Sequence, residues 1–382
     1  MRLDRTWLAA IVVAAIGIHA VPFLLYAPGD VYGFVRPWYR ELLAHGFSHP
    51  FGDYSPPYLY LLWLLTFFDG LLWQVVLIKL LSVAGLVWVV FAVGRLLQSL
   101  GKPPELSILT LLLPSWILDT SLLGQADSFW VAPCVLATGA AIEGKFIRVA
   151  AWAGLAFAFK AQAAFFAPFV IYLFVSERIP PWKWIVAPAI FVLAMVPAWL
   201  GGWQATYIAS IYLNQAEWVD RTNRLFVGDS ASWWTSFSYL APQSAYQMRW
   251  LGIPSAIAGL AVYWWLLPRP TPRVIVLAAT LSASAVPFLL PLMHERFFML
   301  ASTLAFAYAV AFSSKRTIGA AIAMEVASAM PIFVWAFRAQ PWDGTASIFA
   351  LLAILLLLWE LRELSGSRQE ISTDERAWAS AS

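Results

Sequence analysis

Long runs of apolar residues recur along almost the whole chain and restrict its fold more than any other feature. A helix that crosses a bilayer needs about 20 apolar residues, with a range of about 17–25. Charged residues make up only 12% of the chain, against about 25% in soluble domains. The sequence therefore predicts an all-α, polytopic membrane protein with about 12 transmembrane helices. The twelve runs that we assign as spans are 7–26, 72–97, 104–122, 126–142, 147–160, 162–176, 183–201, 249–267, 273–291, 297–313, 316–335 and 345–362.

The spans predict one transmembrane domain over residues 1–363, with a polar, disordered cytoplasmic tail at 364–382. Runs 147–160 and 162–176 are short, so they form either two spans or one broken helix. With the N-terminus in the cytoplasm, Lys and Arg recur at every predicted cytoplasmic turn, as the positive-inside rule requires. Both termini are then cytoplasmic, and two long external loops cover 27–71 and 202–249.

The first external loop has its own helical pattern. Segment 33–45 is amphipathic and predicts a helix in the headgroup plane. The apolar stretch 58–68 is too short to span, so we expect a second juxtamembrane or re-entrant helix there.

Ionisable side chains interrupt the apolar pattern at several points of the predicted external face. A charge at the mouth of a membrane bundle costs free energy unless it is solvated, paired or used. These interruptions are therefore candidates for function. They are Gly29-Asp30, the segment Asp53-Tyr54-Ser55-Pro56-Pro57-Tyr58-Leu59-Tyr60, Gly124-Gln125-Ala126-Asp127, Lys160-Ala161-Gln162 and Met293-His294-Glu295-Arg296-Phe297-Phe298.

In this order, the segments resemble those of polyprenyl-phosphate-sugar-dependent glycosyltransferases of the GT-C superfamily. The closest group is the bacterial mannosyltransferase-like proteins related to the second mannosyltransferase of GPI-anchor synthesis. The resemblance implies a GT-C-like bundle that moves a hexose, mannose above all, from a polyprenyl-phosphate sugar to a lipid, glycan or protein acceptor. Transfer would take place on the external or periplasmic face of the cell membrane. The lipid-phosphate sugar is then a co-substrate, no cofactor is implied, and a divalent metal stays open.

Such a transfer needs a base, because the acceptor hydroxyl is a poor nucleophile until its proton is removed. By resemblance, Asp30 is the candidate base in an inverting displacement. Asp53 is the alternative base, or a partner that positions the acceptor. The structural alternatives are a helix-end aspartate for Asp30 and a turn former for Asp53.

The lipid phosphate that leaves needs cationic and hydrogen-bonding groups. The planar guanidinium of Arg296 can bind phosphate through two hydrogen bonds, and His294 can donate or carry protons. The further candidates for substrate or phosphate binding are Glu295, Lys160, Gln125, Asp127 and Tyr54. The structural alternatives are an interfacial salt bridge at Glu295-Arg296, helix capping by Asp127 and a snorkelling Lys160.

Other classes of function fit the sequence less well. A net charge of +3 does not favour a nucleic-acid partner, and no His/Cys cluster has metal-ligand spacing. A transporter or flippase of a lipid-linked sugar is the alternative function. Such proteins tend to show internal repeats and charged sites at the midplane, whereas the polar segments here lie at one face.

Overall fold

The computed structural model describes residues 4–25, 29–52, 54–221, 230–338 and 344–381, and these ranges contain helices but no strand. The α-helices of the first half are α1 (Arg5–Leu25), α2 (Arg36–His45), α3 (Pro56–Thr66), α4 (Gln74–Ser99), α5 (Pro114–Trp116), α6 (Ser128–Ile142), α7 (Phe146–Phe159), α8 (Ala167–Ser176) and α9 (Pro181–Trp184). Those of the second half are α10 (Val186–Gly201), α11 (Ala205–Arg221), α12 (Trp233–Leu240), α13 (Pro242–Met248), α14 (Gly252–Leu266), α15 (Pro272–Leu289), α16 (Met299–Ala311), α17 (Lys315–Phe337) and α18 (Thr345–Ala381).

Tighter and wider helical turns link these elements. Val31–Val35 and Ile117–Leu122 are π-helical. The 3₁₀ segments are Pro104–Leu112, Ala161–Phe166 and Arg249–Leu251.

The expected number of about twelve spans is not confirmed. Each predicted run contains helix, but only six helices in the described ranges are long and apolar enough to cross a bilayer. A seventh span is possible if Pro104–Leu112 and Pro114–Leu122, which meet at a 61° bend, are taken together. The other five apolar helices are shorter, between 10 and 17 residues. At 1.5 Å per residue, a helix of about 15 residues is only about 22 Å long, less than the hydrocarbon core.

The chain breaks at Lys160 within the region 147–176. The residue is extended, with φ −158° and ψ 137°, between the end of α7 and the 3₁₀ turn Ala161–Phe166. The two predicted runs are therefore two helical arms on either side of one extended residue.

The first loop folds into helices at both expected places. The π-turn Val31–Val35 leads into α2, and α3 covers the apolar stretch after Pro56-Pro57. The apolar face of α2 is buried against protein, because Tyr39 and Leu42 share a core with Leu59 and Leu62 of α3. Proline at the first helical position suits α3, since its missing N–H has no intrahelical partner there.

Two hydrophobic cores meet at the start of α6. The larger core joins the long helices and includes Trp130, whereas the smaller one joins the first-loop helices to α4 and α10 and includes Ala126 and Phe129. Asp127 lies between these residues, so it is placed at the seam of the two cores. The last helix continues through residue 364 to Ala381. The boundary of a disordered tail there stays a prediction.

Candidate active site

Five charged side chains from distant parts of the sequence meet at this seam. We call Asp30, Asp127, Lys160, Glu295 and Arg296 the acid–base cluster. Each residue lies where a helix begins, ends or breaks. The fold brings these positions together although most of them are far apart in the sequence. Helix ends put side chains at the rim of a bundle, where irregular backbone can line a polar site.

Arg296 is at the centre of the acid–base cluster. Its Nη1 lies 3.4 Å from Asp30 Oδ2, and its Nε lies 3.1 Å from Glu295 Oε1 and 3.9 Å from Asp127 Oδ2. Burial acts to lower the pKa of Arg296, but Glu295 and Asp127 raise it above its ordinary value. The guanidinium therefore stays charged although its side chain is only 13% exposed.

The Nε–H of Arg296 makes no hydrogen bond. Its contact with Glu295 is an ion pair by distance, without the alignment of a hydrogen bond. A buried donor of a charged group normally has an acceptor. Within the described residues, this N–H therefore has no aligned acceptor, which a bound group could supply.

Lys160 and Asp127 form a buried ion pair. The Lys160 Nζ donates to Asp127 Oδ1 at 2.8 Å, and the Trp130 indole N–H donates to the same oxygen at 2.8 Å. The Asp127 side chain makes no capping bond to the backbone of α6, so helix capping does not explain this residue. Lys160 is buried rather than reaching water, so it does not snorkel. Its extended backbone at the helix break lets the ammonium group turn inward.

Asp30 is the most accessible acid of the acid–base cluster. Its carboxylate Oδ2 accepts a hydrogen bond from Gln125 Nε2 at 3.0 Å, beside the Arg296 contact. The Asp30 side chain is 22% exposed, whereas the carboxylates of Asp127 and Glu295 are buried. Asp30 makes no side-chain cap for the following π-turn. An acceptor arriving from the open side would therefore reach Asp30 first.

Glu295 keeps its negative charge beside Arg296. Burial acts to raise the pKa of Glu295, but the neighbouring Arg296 and His294 lower it to about 2. His294 itself lies at the rim: its side chain is 46% exposed, and its Nδ1 is 3.7 Å from Glu295 Oε2. The predicted interfacial salt bridge between Glu295 and Arg296 is present, as one part of the larger cluster.

Tyr54 links the first loop to the acid–base cluster. Lys160 Nζ lies 5.6 Å from the centre of the Tyr54 ring, and this ring packs at 5.0 Å from Trp38 and 5.3 Å from Tyr58. A cation over an aromatic face is attracted by the ring's negative charge distribution. Asp53, the alternative base, lies outside the described residues.

Sequence reasoning missed Asp119, and it gave no separate role to Tyr58 within its candidate segment. Asp119 lies in the π-helical segment Ile117–Leu122, fully buried, and neither of its carboxyl oxygens has a hydrogen-bond partner. Its backbone oxygen accepts from the Gln125 N–H at 3.0 Å, which ties it to the Gly124–Asp127 turn. The Tyr58 hydroxyl is also buried without a partner. The available sequence signal was an aspartate inside the apolar run 104–122, which is costly unless it has a use.

Buried polar atoms without hydrogen-bond partners gather on or next to the acid–base cluster. A native protein leaves few such atoms, and each calls for a bound group or a function. Ordered water or a bound polar ligand would supply the missing partners at this site. Within the described ranges, the residues concerned near the cluster are Tyr58, Asp119, Asp127, Ser128, Gln162 and Arg296.

An apolar cavity of about 360 Å³ lies between α7, α8, α9 and α10. Its wall includes Phe157 of α7 and Ala163 of the following 3₁₀ turn, and it continues to Phe174 and Phe191. The lining contains no residue of the acid–base cluster. The cavity's apolar lining suits a hydrocarbon chain.

Residues 48–176 match the family model described as Alpha-(1->6)-mannopyranosyltransferase, N-terminal domain. The match covers about a third of the chain's 382 residues and includes Tyr54, Asp119, Asp127 and Lys160. No individual curated protein matches the chain significantly. The family match confirms the resemblance at the level of a GT-C-type mannosyltransferase-like group. The protein is a membrane glycosyltransferase.

Proposed function

We propose that this glycosyltransferase moves a hexose, with mannose as the sugar, from a polyprenyl-phosphate donor to a lipid, glycan or protein acceptor. The reaction would take place in the acid–base cluster, at the non-cytoplasmic face. One observation carries the proposal: Arg296 is held beside the accessible Asp30, and its buried Nε–H makes no hydrogen bond. A cation with a free donor next to an accessible carboxylate fits a donor phosphate and an acceptor hydroxyl.

The donor phosphate would bind to Arg296, with Lys160 behind it. Both cations are already fixed by carboxylates, so little reorganisation is needed when charge develops on the leaving phosphate. His294 at the rim can add a hydrogen bond to a phosphate oxygen. The apolar cavity between α7, α8 and α10 would hold part of the isoprenoid chain.

Asp30 would act as the base. The acceptor oxygen attacks the anomeric carbon and gives its proton to the Asp30 carboxylate. The bond from the anomeric carbon to the phosphate oxygen breaks on the opposite side, and the lipid phosphate keeps the electron pair. Gln125 and Arg296 orient Asp30 through its Oδ2. The anomeric configuration is inverted, and no enzyme nucleophile is required.

The test is transfer from synthetic polyprenyl-phosphate mannose by purified protein in lipid nanodiscs. Asp30→Asn should lower kcat at least about 100-fold, since general base catalysis contributes roughly 10²–10⁴-fold. Asp69→Asn is the matched control in the same loop. Asp69 accepts hydrogen bonds from Tyr39 and Gln74, which an amide can also accept, so this variant should retain the wild-type rate.

Undiminished turnover in Asp30→Asn would remove the role given to Asp30. If Asp53→Asn is inactive in that case, the base is Asp53. Movement of the lipid-linked sugar across the membrane without a new glycosidic bond would instead support the transporter alternative, which the transferase family match does not favour.

A further inference from the structure

Outside the acid–base cluster, two histidines share one carboxylate oxygen. His45 Nδ1 and His49 Nε2 each lie 2.9 Å from Glu41 Oε1. The three ligand-type atoms all lie within 4.8 Å of one another. The two histidine side chains are exposed and Glu41 is half-buried, so ions in solution can reach the group.

The sequence builds this arrangement with one helix end and one turn. Glu41 and His45 are four residues apart on α2, so they share one helix face. The helix ends at Gly46, whose φ of +58° suits glycine, and the chain turns back to bring the His49 ring within 5.4 Å of the His45 ring. The sequence pattern alone predicted no metal site, because the turn that returns His49 is not visible in it.

His49 has a second neighbour that can set its tautomer when a metal binds. The Ser48 hydroxyl lies 3.2 Å from His49 Nδ1, the nitrogen that faces away from Glu41. Histidines that ligate metals usually donate their other ring N–H to a neighbouring acceptor, which fixes the tautomer. With a metal at Nε2, the ring proton is carried by Nδ1, and the Ser48 oxygen can accept it.

We propose that Glu41, His45 and His49 form a binding site for a first-row divalent transition metal ion such as Zn²⁺. Bonds of about 2.0–2.2 Å to nitrogen and oxygen ligands place neighbouring ligand atoms about 3 Å apart, close to the 2.9 Å between Glu41 Oε1 and each histidine nitrogen. On binding, the N–H protons that face Glu41 exchange through water to the opposite ring nitrogens or into solution. Water fills the remaining coordination positions.

Such an ion would fasten α2 to the segment that leads to Tyr54. Phe47 and Phe51 pack against Trp203 at 6.0 and 5.6 Å, and the Tyr207 hydroxyl donates to Gly52 O at 2.6 Å. The metal would add a third attachment to this segment. The site is independent of the proposed sugar transfer, since none of its ligands belongs to the acid–base cluster.

The experiment is a Zn²⁺ titration of the full-length, tag-free protein in nanodiscs, in competition with a fluorescent zinc chelator. We expect one saturable site in the wild type. His45→Ala and His49→Ala should each weaken Zn²⁺ binding at least tenfold. Even the loss of a residue that only hydrogen-bonds to a metal ligand weakens binding roughly 10–100-fold. The double variant should not bind, while the exposed control Glu177→Gln should bind like the wild type.

Thermal unfolding provides a second readout that does not depend on activity. Zn²⁺ should raise the Tm of the wild type and of Glu177→Gln but not that of the double variant, because binding to the folded state alone stabilises it. Equal Tm values without metal would show that the double variant is folded. No saturable binding to the wild type, or unchanged binding by the double variant, would overturn the proposal.

Discussion

At the scale of residues, the two buried carboxyl groups of Asp119 and Asp127 differ in their hydrogen-bond and ion-pair partners. Asp127 is paired with Lys160 and accepts from Trp130, whereas both carboxyl oxygens of Asp119 lack a hydrogen-bond partner. Removing one partner of a buried pair leaves an uncompensated charge, but removing an unpartnered acid leaves none. The two residues should therefore respond in opposite ways to the same substitution.

We expect Asp127→Asn to lower the free energy of unfolding by roughly 3–5 kcal/mol, because Lys160 then stays buried without its counter-ion. Asp119→Asn should leave the stability unchanged or raise it. The exposed pair Glu143–Lys145, with its atoms 2.6 Å apart, provides the baseline: Glu143→Gln should cost less than about 1 kcal/mol. Denaturant unfolding in mild detergent measures all three. A loss in Asp119→Asn equal to that in Asp127→Asn would contradict this assignment.

The lowered pKa of Glu295 predicts the pH dependence of stability. A carboxylate whose pKa is depressed to about 2 stabilises the folded state fully above its unfolded pKa of about 4.3. This stabilisation is lost as the pH falls toward 2. The stability difference between wild type and Glu295→Gln should thus be constant above about pH 5 and shrink below it. A difference that does not change between pH 6 and pH 3 would exclude the ion pair as its cause.

At the scale of elements, interruptions of helices position the acid–base cluster. The π-turn after Asp30, the bend before Pro114 and the extended Lys160 each replace a regular turn. The turn at Gly124 is also tightly packed. Its φ is +64°, and an added Cβ would lie 3.1 Å from Lys79 Cγ and 3.3 Å from Val31 Cγ2. Val31 directly follows Asp30, so a displacement of Val31 would also move the candidate base.

Gly124→Ala should therefore reduce both stability and sugar transfer. Its matched control is Gly144→Ala, which has a φ of +69° but nothing within 4 Å of the added Cβ. The control should cost only the backbone strain, about 1–3 kcal/mol, and keep its transfer rate. Gly124→Ala should cost more and lose activity because Val31 is displaced. Equal losses in the two variants would show that packing around Gly124 does not position Asp30.

The sequence predicted the positions of helices better than their lengths. Every apolar run became helical, because apolar segments in a membrane must satisfy their backbone internally. The break at Lys160 and the 61° bend before Pro114 depend on tertiary contacts. Together with short helices such as Ser128–Ile142, they leave fewer helices long enough to span than the sequence predicted. Segment order and sidedness predicted that Arg296 and Asp30 lie at the same membrane face, but not that they are in contact. Nothing in the sequence showed which neighbours Asp119 would face, so its place beside the cluster could not be predicted.

At the scale of the whole molecule, the proposed transfer reaction depends on which membrane face carries the acid–base cluster. The first-loop segment that contains Ser48 should be external and the turn that contains Lys145 cytoplasmic, if the positive-inside rule holds. The native Cys134 is buried and should not react. Introduced cysteines can therefore report the two faces against a low background.

We expect Ser48→Cys to react with a membrane-impermeant thiol reagent in intact cells. Lys145→Cys should react only after the membrane is permeabilised, and the wild type should remain unlabelled. The opposite pattern would place the acid–base cluster on the cytoplasmic face and contradict the proposed orientation.

The most direct test of the central claim is a structure of the protein with a non-transferable polyprenyl-phosphonate mannose analogue. We predict that a phosphonate oxygen accepts from the Arg296 Nε–H, that the anomeric carbon faces the Asp30 side, and that the isoprenoid chain enters the apolar cavity between α7, α8 and α10. A phosphonate beyond hydrogen-bond reach of both Arg296 and Lys160, or one bound at the opposite membrane face, would contradict the account.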